Sequence, residues 1–347
     1  MRVQILFLTL TLIANSFSQS TDEETLRNYQ GEATQDIFAL FQNVYKKIYN
    51  SDKETNQRYE IFQFNVEKIN NVNSQNLNYK FGITQFTDMT PEEFQQRYLV
   101  SPQQKKNFIT SSVRLLKDKG VPQETRLFRR LQLFSPVDWS NILQPPRDQG
   151  KCQSSWAFVT ATAVEGAVNK KYSTNDYLSV QELIDCEKKN RGCTAGDINY
   201  SLDYVQQNGL SLDSDYPYKA KQSKCSIPSD DRKYKISSYF YCSNNDANSA
   251  CSESIVYDNL SNGPSIGGLD GSRLQLYQSG IFDGNCTKDS HMIVTVGFGS
   301  ENGQDFWIVR NSWGADWGEN GYIRVARNDS NNHSCFVANE SWTAIAG

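Results

Sequence analysis

Eight cysteines, all at or after position 152 of a 347-residue chain, constrain this sequence more than any other feature. An even number of cysteines confined to one region favours disulfides within a single folded unit, formed in an oxidising compartment. A zinc site is the alternative, but the chain has no paired C-x-x-C motif and only two histidines, His291 and His333. We therefore expect four disulfides, no metal and no cofactor. The eight positions are Cys152, Cys186, Cys193, Cys225, Cys242, Cys251, Cys286 and Cys335.

The composition is that of a folded protein with a nearly neutral surface. Apolar residues make up 38% and charged residues 21%, which is enough of each for a packed core and a hydrated exterior. The 35 basic and 39 acidic residues leave a formal net charge of -4. This balance predicts no electrostatic attraction for nucleic acid or for an anionic membrane surface.

The first 18 residues are typical of a secretory signal peptide. Arg2 gives a positive start, residues 5–14 form an apolar run, and Ser16 and Ser18 are small residues before a cleavage site. A membrane anchor is the alternative, but the run is about half the roughly twenty residues that span a bilayer. We expect a mature monomer that is free of the membrane, either outside the cell or in a lysosome or vacuole.

Glycosylation is compatible with that route through the secretory pathway. The chain contains six N-x-S/T sequons, and in a secreted protein some of them should carry glycan. Their asparagines are Asn199, Asn259, Asn285, Asn328, Asn332 and Asn339.

The remainder of the chain divides into three parts by composition. Residues 20–100 lack cysteine, and apolar residues such as Phe38, Phe41 and Ile48 recur there at three- and four-residue steps, which predicts helices. Residues 100–132 are polar and basic, which is the composition of an exposed and cleavable connector. The cysteines and most glycines follow this connector, so the third part is predicted to be a disulfide-bonded globular unit.

The globular unit changes from a helical to a β pattern along its length. Buried-type helices are predicted at 154–171 and at 197–207, where Gly209 follows as a stop signal. Short apolar runs at 293–296, 306–309 and 322–325 predict strands. Helices followed by strands indicate an α+β fold with two lobes.

Three segments of this unit carry residues suited to nucleophilic catalysis. The segment 148–158, which reads DQGKCQSSWAF and contains Ser155, resembles the nucleophile segment of papain-like cysteine peptidases. That family places a histidine and an asparagine roughly 130–150 residues downstream, and His291 and Asn311 lie at about that spacing. The segment 311–322 is similar to the asparagine segment of the family.

The N-terminal region resembles the propeptide of the same family. Its helix pattern includes Glu54, Arg58, Phe62, Asn65, Ile69 and Asn73, and the turn at 82–88 follows. After the predicted signal peptide at 1–18, the resemblance implies a propeptide at 19–132, with an inhibitory helical domain at about 35–95 and a linker. The peptidase domain then covers 133–347 and takes the two-lobed papain-like fold, with a helical left lobe and a β-barrel-like right lobe.

The resemblance also implies roles for individual residues. Gln149 matches the side-chain donor of the oxyanion hole, His291 the general base, Asn311 the group that orients the base, and Trp313 the indole that shields their hydrogen bond. A satisfied core histidine is the alternative for His291. The implied disulfides are Cys152 with Cys193, Cys186 with Cys225 and Cys286 with Cys335, which leaves Cys242 with Cys251.

The main departure from the family is Ser155, which occupies the position of the nucleophilic cysteine. A cysteine at a helix N-terminus beside an imidazole can exist as a thiolate, whereas a serine hydroxyl cannot ionise in this way. Serine therefore needs His291 as a true general base. Replacing the carboxylate of a serine-type triad by an amide costs on the order of 10⁴ in turnover, and here the third member is Asn311. Weak peptide hydrolysis is expected.

Further departures surround the same cleft. Gln153 replaces a glycine beside the nucleophile, and Ala195 replaces the glycine before Gly196, whose backbone is expected to lie along the substrate. Met292 is expected to narrow the substrate pocket next to His291. Glu340 falls near the floor of that pocket, where it would favour a basic side chain, or else it is an exposed glutamate.

Two functions remain open from the sequence. The first is a secreted or lysosomal zymogen of an endopeptidase-type papain-like peptidase that hydrolyses peptide bonds weakly through Ser155. The second is a silenced peptidase homologue that binds a peptide or protein. In both, the partners are a peptide or protein in the cleft and the chain's own propeptide. The propeptide is predicted to block the cleft until cleavage near residue 133, the alternative being a permanently attached helical arm.

Overall fold

The computed structural model divides the chain into two compact units. Unit 1 contains the residues up to Phe94 together with Leu274–Gly280, and unit 2 contains Gln95–Arg273 and Ile281–Gly347. The predicted signal peptide, the whole of the predicted connector and His333 lie outside the part that the structure describes. The described residues are 21–99, 136–228, 233–243, 251–327 and 335–347.

Unit 1 is built on two capped helices, α1 (Gln35–Val44) and α2 (Asp52–Asn73). Each begins after a hydroxyl residue whose side-chain oxygen accepts from a backbone N–H of the first turn, Thr34 for α1 and Ser51 for α2. The strand β1 (Tyr79–Phe81) follows and pairs antiparallel with residues 277–280 of the same unit.

The apolar face predicted for α1 is only partly correct. Phe38 and Phe41 are buried and pack against Phe62 of α2, with ring centroids 5.3 Å and 5.0 Å away. Ile48, which continues the same spacing, is 90% exposed because α1 has already ended at Val44. Periodicity located the helix, but it could not locate its last turn.

A third helix, α3 (Pro91–Tyr98), begins in unit 1 and ends in unit 2. Unit 2 then adds the helices α4 (Ser155–Tyr172), α5 (Val180–Cys186), α6 (Ile198–Asn208) and α7 (Glu253–Leu260). Its strands are β2 (Val137–Asp138), β3 (Ile236–Ser243), β4 (Ser265–Leu269), the end of β5 (Tyr277–Phe282), β6 (His291–Glu301), β7 (Gln304–Arg310), β8 (Tyr322–Ala326) and β9 (Glu340–Ala346).

The sheet of unit 2 is mostly antiparallel. Its strands follow the order β3-β9-β4-β6-β7-β8, residues 281–282 of β5 join β8 in parallel, and β2 pairs with β6. The central helix α4 packs on this sheet and contributes half of its residues to one hydrophobic core with α5 and α6. The result is α+β, as the order of helices and strands predicted, although β6 extends well beyond the predicted 293–296.

Four disulfides join described residues: the three pairs that the resemblance implied, and the pair that remained by elimination, Cys242 with Cys251. These are Cys152–Cys193, Cys186–Cys225, Cys242–Cys251 and Cys286–Cys335. Within the described residues, no helix is both long and apolar enough to cross a lipid bilayer.

Candidate active site

Ser155 lies at the N-terminus of the buried helix α4, where the helix dipole presents its positive end. Small residues such as Ala157 and Ala161 allow this helix to be buried on nearly all sides. The Ser155 side chain is 1% exposed, and its Oγ makes no hydrogen bond to any described residue. The hydroxyl is therefore shielded from bulk water and is not committed to another protein group.

His291 and Asn311 are brought together by the pairing of two strands. His291 is the first residue of β6, Asn311 directly follows β7, and the two strands are antiparallel with Val294 opposite Arg310. This register places the two side chains next to each other, and His291 Nε2 lies 2.8 Å from Asn311 Oδ1.

The orientation of the Asn311 amide determines the tautomer of the histidine. The backbone N–H of Ser312 donates to Asn311 Oδ1 over 2.7 Å, which identifies that atom as the oxygen. Because an amide oxygen only accepts, His291 Nε2 must be the donor in its hydrogen bond to Asn311. In a neutral imidazole the proton is then on Nε2, and Nδ1 keeps the lone pair that a general base needs.

Burial keeps this imidazole neutral. Desolvation lowers the pKa of His291 from 6.5 to about 4, although the hydrogen bond to Asn311 and the backbone of Tyr98 both act to raise it. His291 is 1% exposed. At neutral and mildly acidic pH the ring is therefore an uncharged and weak base.

A tryptophan packs against the histidine, and a second tryptophan packs against the first. The indole of Trp313 is fully buried, and its centroid lies 4.7 Å from the His291 ring at an interplanar angle of 34°. Trp317 meets Trp313 edge-on at 4.9 Å. The Trp313 ring excludes water from the side of the imidazole that it covers.

Gln149 is fixed as a donor by its neighbour. Ser312 Oγ donates to Gln149 Oε1 over 2.7 Å, so Nε2 of the same amide is left to donate elsewhere. Nε2 lies 3.3 Å from the carbonyl of Cys152 and 3.4 Å from the carbonyl of Tyr98. Gln149 is fully buried, and a backbone hydrogen bond from its N–H to Ser312 also holds it.

The segment that contains Cys193 and Gly196 is joined to the nucleophile segment by a disulfide. The Cys152–Cys193 bridge and the hydrogen bond from Gln153 N–H to the Cys193 carbonyl hold the two segments together. Gly196 lies against the indole of Trp156, and a Cβ at Gly196 would approach Trp156 Cδ2 to 2.2 Å. A glycine is required here by packing, whatever its role toward a substrate.

Met292 and Glu340, the predicted pocket residues, are both buried, at 8% and 5% exposure. Met292 of β6 pairs with Gly268 of β4. The main-chain carbonyl of Glu340 packs against Gly267 of β4, and it would lie 3.4 Å from a Cβ added to that glycine. The alternative of a solvent-exposed glutamate at 340 is therefore wrong. Glu340 starts β9, whose pairing with β3 and β4 covers it.

The end of α3 also lies at this site, although the sequence pattern did not identify which propeptide residues would reach it. Leu99 is 3% exposed, and a Cβ on Gly271 would meet both Leu99 and His291, at 2.6 Å and 3.0 Å. The ring of Tyr98 faces the edge of Trp313 at 6.5 Å. The motifs quoted for the propeptide end at residue 88, and nothing in the composition of residues 95–99 indicates which carbonyl approaches which donor.

Comparisons with known proteins agree with this arrangement. The papain family cysteine protease model matches residues 134–345, and the cathepsin propeptide inhibitor domain model matches residues 38–94. This chain therefore belongs to the papain family of cysteine proteases and carries an inhibitory propeptide of the cathepsin type.

Individual relatives align over nearly the whole chain. Cysteine proteinase RD21A of Arabidopsis thaliana is 35% identical across 97% of this chain and 73% of its own length. Chymopapain of Carica papaya is 34% identical across 99% of this chain and 97% of its own length. The solved structure of digestive procathepsin L 3 from Tenebrio molitor larval midgut covers 90% of this chain and 98% of its own, with a TM-score of 0.72 and 31% identity.

The comparisons confirm the papain-like α+β fold with its propeptide. They also establish the chain as a papain-like cysteine protease zymogen whose partners include its own inhibitory propeptide.

Proposed function

We propose that Ser155 takes the nucleophile position of this peptidase and that the mature protein hydrolyses peptide bonds weakly. In this proposal His291 is the general base, Asn311 orients it, and Gln149 donates to the developing oxyanion. Gly196, Met292 and Glu340 belong to the substrate cleft. The protein passes through the secretory pathway to a vacuole, a lysosome or the extracellular space, and it is activated by a cut near residue 133.

The observation that supports this proposal best is the tautomer of His291. A serine must lose its proton during attack, so the base needs an unprotonated nitrogen in the resting state. The Ser312–Asn311–His291 hydrogen bonds leave Nδ1 in that form. Ser155 Oγ, which has no hydrogen-bond partner among the described residues, is available to such a base.

Two features explain why the activity should be weak. Asn311 is a neutral amide, so it stabilises the imidazolium that forms when His291 takes the proton less than a carboxylate would. Burial opposes the same charge, because it lowers the pKa of His291 to about 4. The donor on Gln149 still stabilises negative charge on the attacked carbonyl, and a residual rate enhancement over uncatalysed hydrolysis is therefore expected.

A fluorophosphonate probe tests this proposal directly. We would treat the full chain with an active peptidase of the same family, sequence the new N-terminus, and label the product with the probe. Labelling that is lost in Ser155→Ala and in His291→Ala, but retained in Ser214→Ala at an exposed serine, would support it. Absence of labelling with intact peptide binding would instead establish a silenced homologue that acts as a peptide- or protein-binding module. A cut well inside 140–340 would contradict the proposed boundary.

A further inference from the structure

The helix α3 ends at the candidate active site with its C-terminus. Its last residue is Tyr98, and the carbonyls of a helix's last turn find no partners within the helix. These carbonyls also carry the negative end of the helix dipole. A helix that ends in this way is recognised by hydrogen-bond donors and by positive charge.

Three side chains of unit 2 supply such groups. Gln153 Nε2 donates to the Gln96 carbonyl over 2.5 Å, and Gln149 Nε2 lies 3.4 Å from the Tyr98 carbonyl. Lys288 Nζ donates to the side chain of Gln95 over 2.9 Å, which places a positive charge at the same end of the helix. Of the three, Gln153 is the residue that departs from the family's glycine at its position.

The Gln153 donor is held in place before it binds. Its backbone N–H donates to the Cys193 carbonyl over 3.0 Å, and the preceding residue is fixed in the Cys152–Cys193 disulfide. A side chain whose backbone is already fixed loses less conformational freedom when it forms a contact, so more of the hydrogen-bond energy remains as affinity.

We propose that Gln153 is a latch that retains the propeptide by binding the C-terminal end of α3 through the Gln96 main-chain carbonyl. The latch recognises a helix end rather than a particular side chain. The contact forms whether or not Ser155 can react, so this proposal can be tested independently of the proposed hydrolysis. It also gives a purpose to a glutamine at a position where a glycine would leave more room for a substrate.

Hydrogen–deuterium exchange of the full chain measures this latch without any reaction at Ser155. In Gln153→Glu the donor is lost and a negative charge faces the negative end of the helix. We expect amide exchange across residues 95–99 to accelerate about five- to tenfold, as loss of one exposed hydrogen bond together with a new charge repulsion predicts. Exchange in α4 and in the central sheet should stay unchanged.

Two matched control variants test whether the change in exchange comes from the Gln153 contact or from substitution of a glutamine in general. Gln206→Glu removes an equivalent exposed bond, from Gln206 Nε2 to the Ser237 carbonyl, and should leave exchange at 95–99 as in the wild type. Gln96→Ala keeps the carbonyl that Gln153 binds, and should also have no effect. If Gln153→Glu perturbs the fold, the neutral Gln153→Ala replaces it, with a severalfold acceleration expected.

Unchanged exchange at 95–99 in the folded Gln153 variants would overturn the proposal. So would an acceleration of equal size in Gln206→Glu or in Gln96→Ala.

Discussion

Whether His291 is charged at rest depends on the residue at position 155. A serine hydroxyl is neutral, so nothing there offsets the burial that lowers the pKa of His291 to about 4. A thiolate at the same helix N-terminus would supply a negative charge, which would raise the pKa of the imidazole and be stabilised by it in turn. A cysteine at 155 would therefore restore an ion pair that serine cannot form.

Ser155→Cys should convert the matured protein into a thiol peptidase. Because the thiolate no longer needs a proton to be removed during attack, we expect hydrolysis of a fluorogenic peptide to rise by about 10²-fold or more over the wild type. The gain should disappear after treatment with iodoacetamide. The control is Ser154→Cys, since Ser154 precedes the helix and its Oγ contacts the hydroxyl of Tyr218.

A silent Ser155→Cys would mean that the cleft itself is unsuited to peptides. The neighbouring departures Gln153, Ala195 and Met292 would then account for the loss of activity, and the peptide-binding alternative would gain support.

At the scale of elements, one glycine controls how closely α4 approaches the chain before β4. A Cβ on Gly166 would lie 2.4 Å from Pro264 Cγ, closer than packed atoms allow. Helix propensity alone favours alanine over glycine by about 1 kcal/mol in the middle of a helix. In Gly166→Ala the steric conflict therefore lowers stability, whereas the better helix propensity raises it. Because the position is buried, the steric conflict is the larger effect.

Gly166→Ala should lower the free energy of unfolding by roughly 1–3 kcal/mol despite its better helix propensity. Urea denaturation of the full chain, monitored by tryptophan fluorescence, measures this change. Pro264→Ala removes the opposing ring, so the double variant should regain most of the lost stability. A Gly166→Ala protein that is more stable than the wild type would show that the backbone can move apart at this contact.

The structure also distinguishes between the sequons. Asn285 is exposed in the loop between β5 and β6, whereas Asn259 of α7 is 6% exposed and its amide donates to Ser341 Oγ. A glycan cannot be accommodated on a buried amide. We expect mass spectrometry of secreted protein to find glycan at Asn285 and none at Asn259, and a glycosylated and folded Asn259 would contradict this.

Helix positions were more predictable than helix ends and long-range contacts. The prediction of 154–171 differs from α4 by one residue at each end, because small and apolar residues mark a buried helix along its whole length. The strand at 293–296 was predicted far shorter than β6, since its later residues are held by pairing with β7 and not by their own apolar pattern. The contact between Gln153 and Gln96 joins residues whose proximity depends on the complete fold.

For the whole molecule, the buried histidine couples acidity to folding. The pKa of His291 is about 4 in the folded protein and lies near 6.5 in an unfolded chain, so the unfolded chain binds the proton first. Above pH 7 the ring is neutral in both states and contributes no pH dependence. As the pH falls from about 6.5 toward 4, the unfolded state is increasingly favoured, by about 3 kcal/mol in total.

Acidification should therefore lower the stability of the full chain through protonation of His291. Replacing His291 should remove the part of the stability loss that comes from this residue. The free energy of unfolding in urea should fall between pH 7 and pH 4.5 in both proteins. The fall should be smaller by about 2–3 kcal/mol in His291→Gln than in the wild type. The control is His333→Gln, which replaces the chain's other histidine and should retain the full acid dependence. An equal loss in the wild type and in His291→Gln would assign the acid sensitivity to carboxylates.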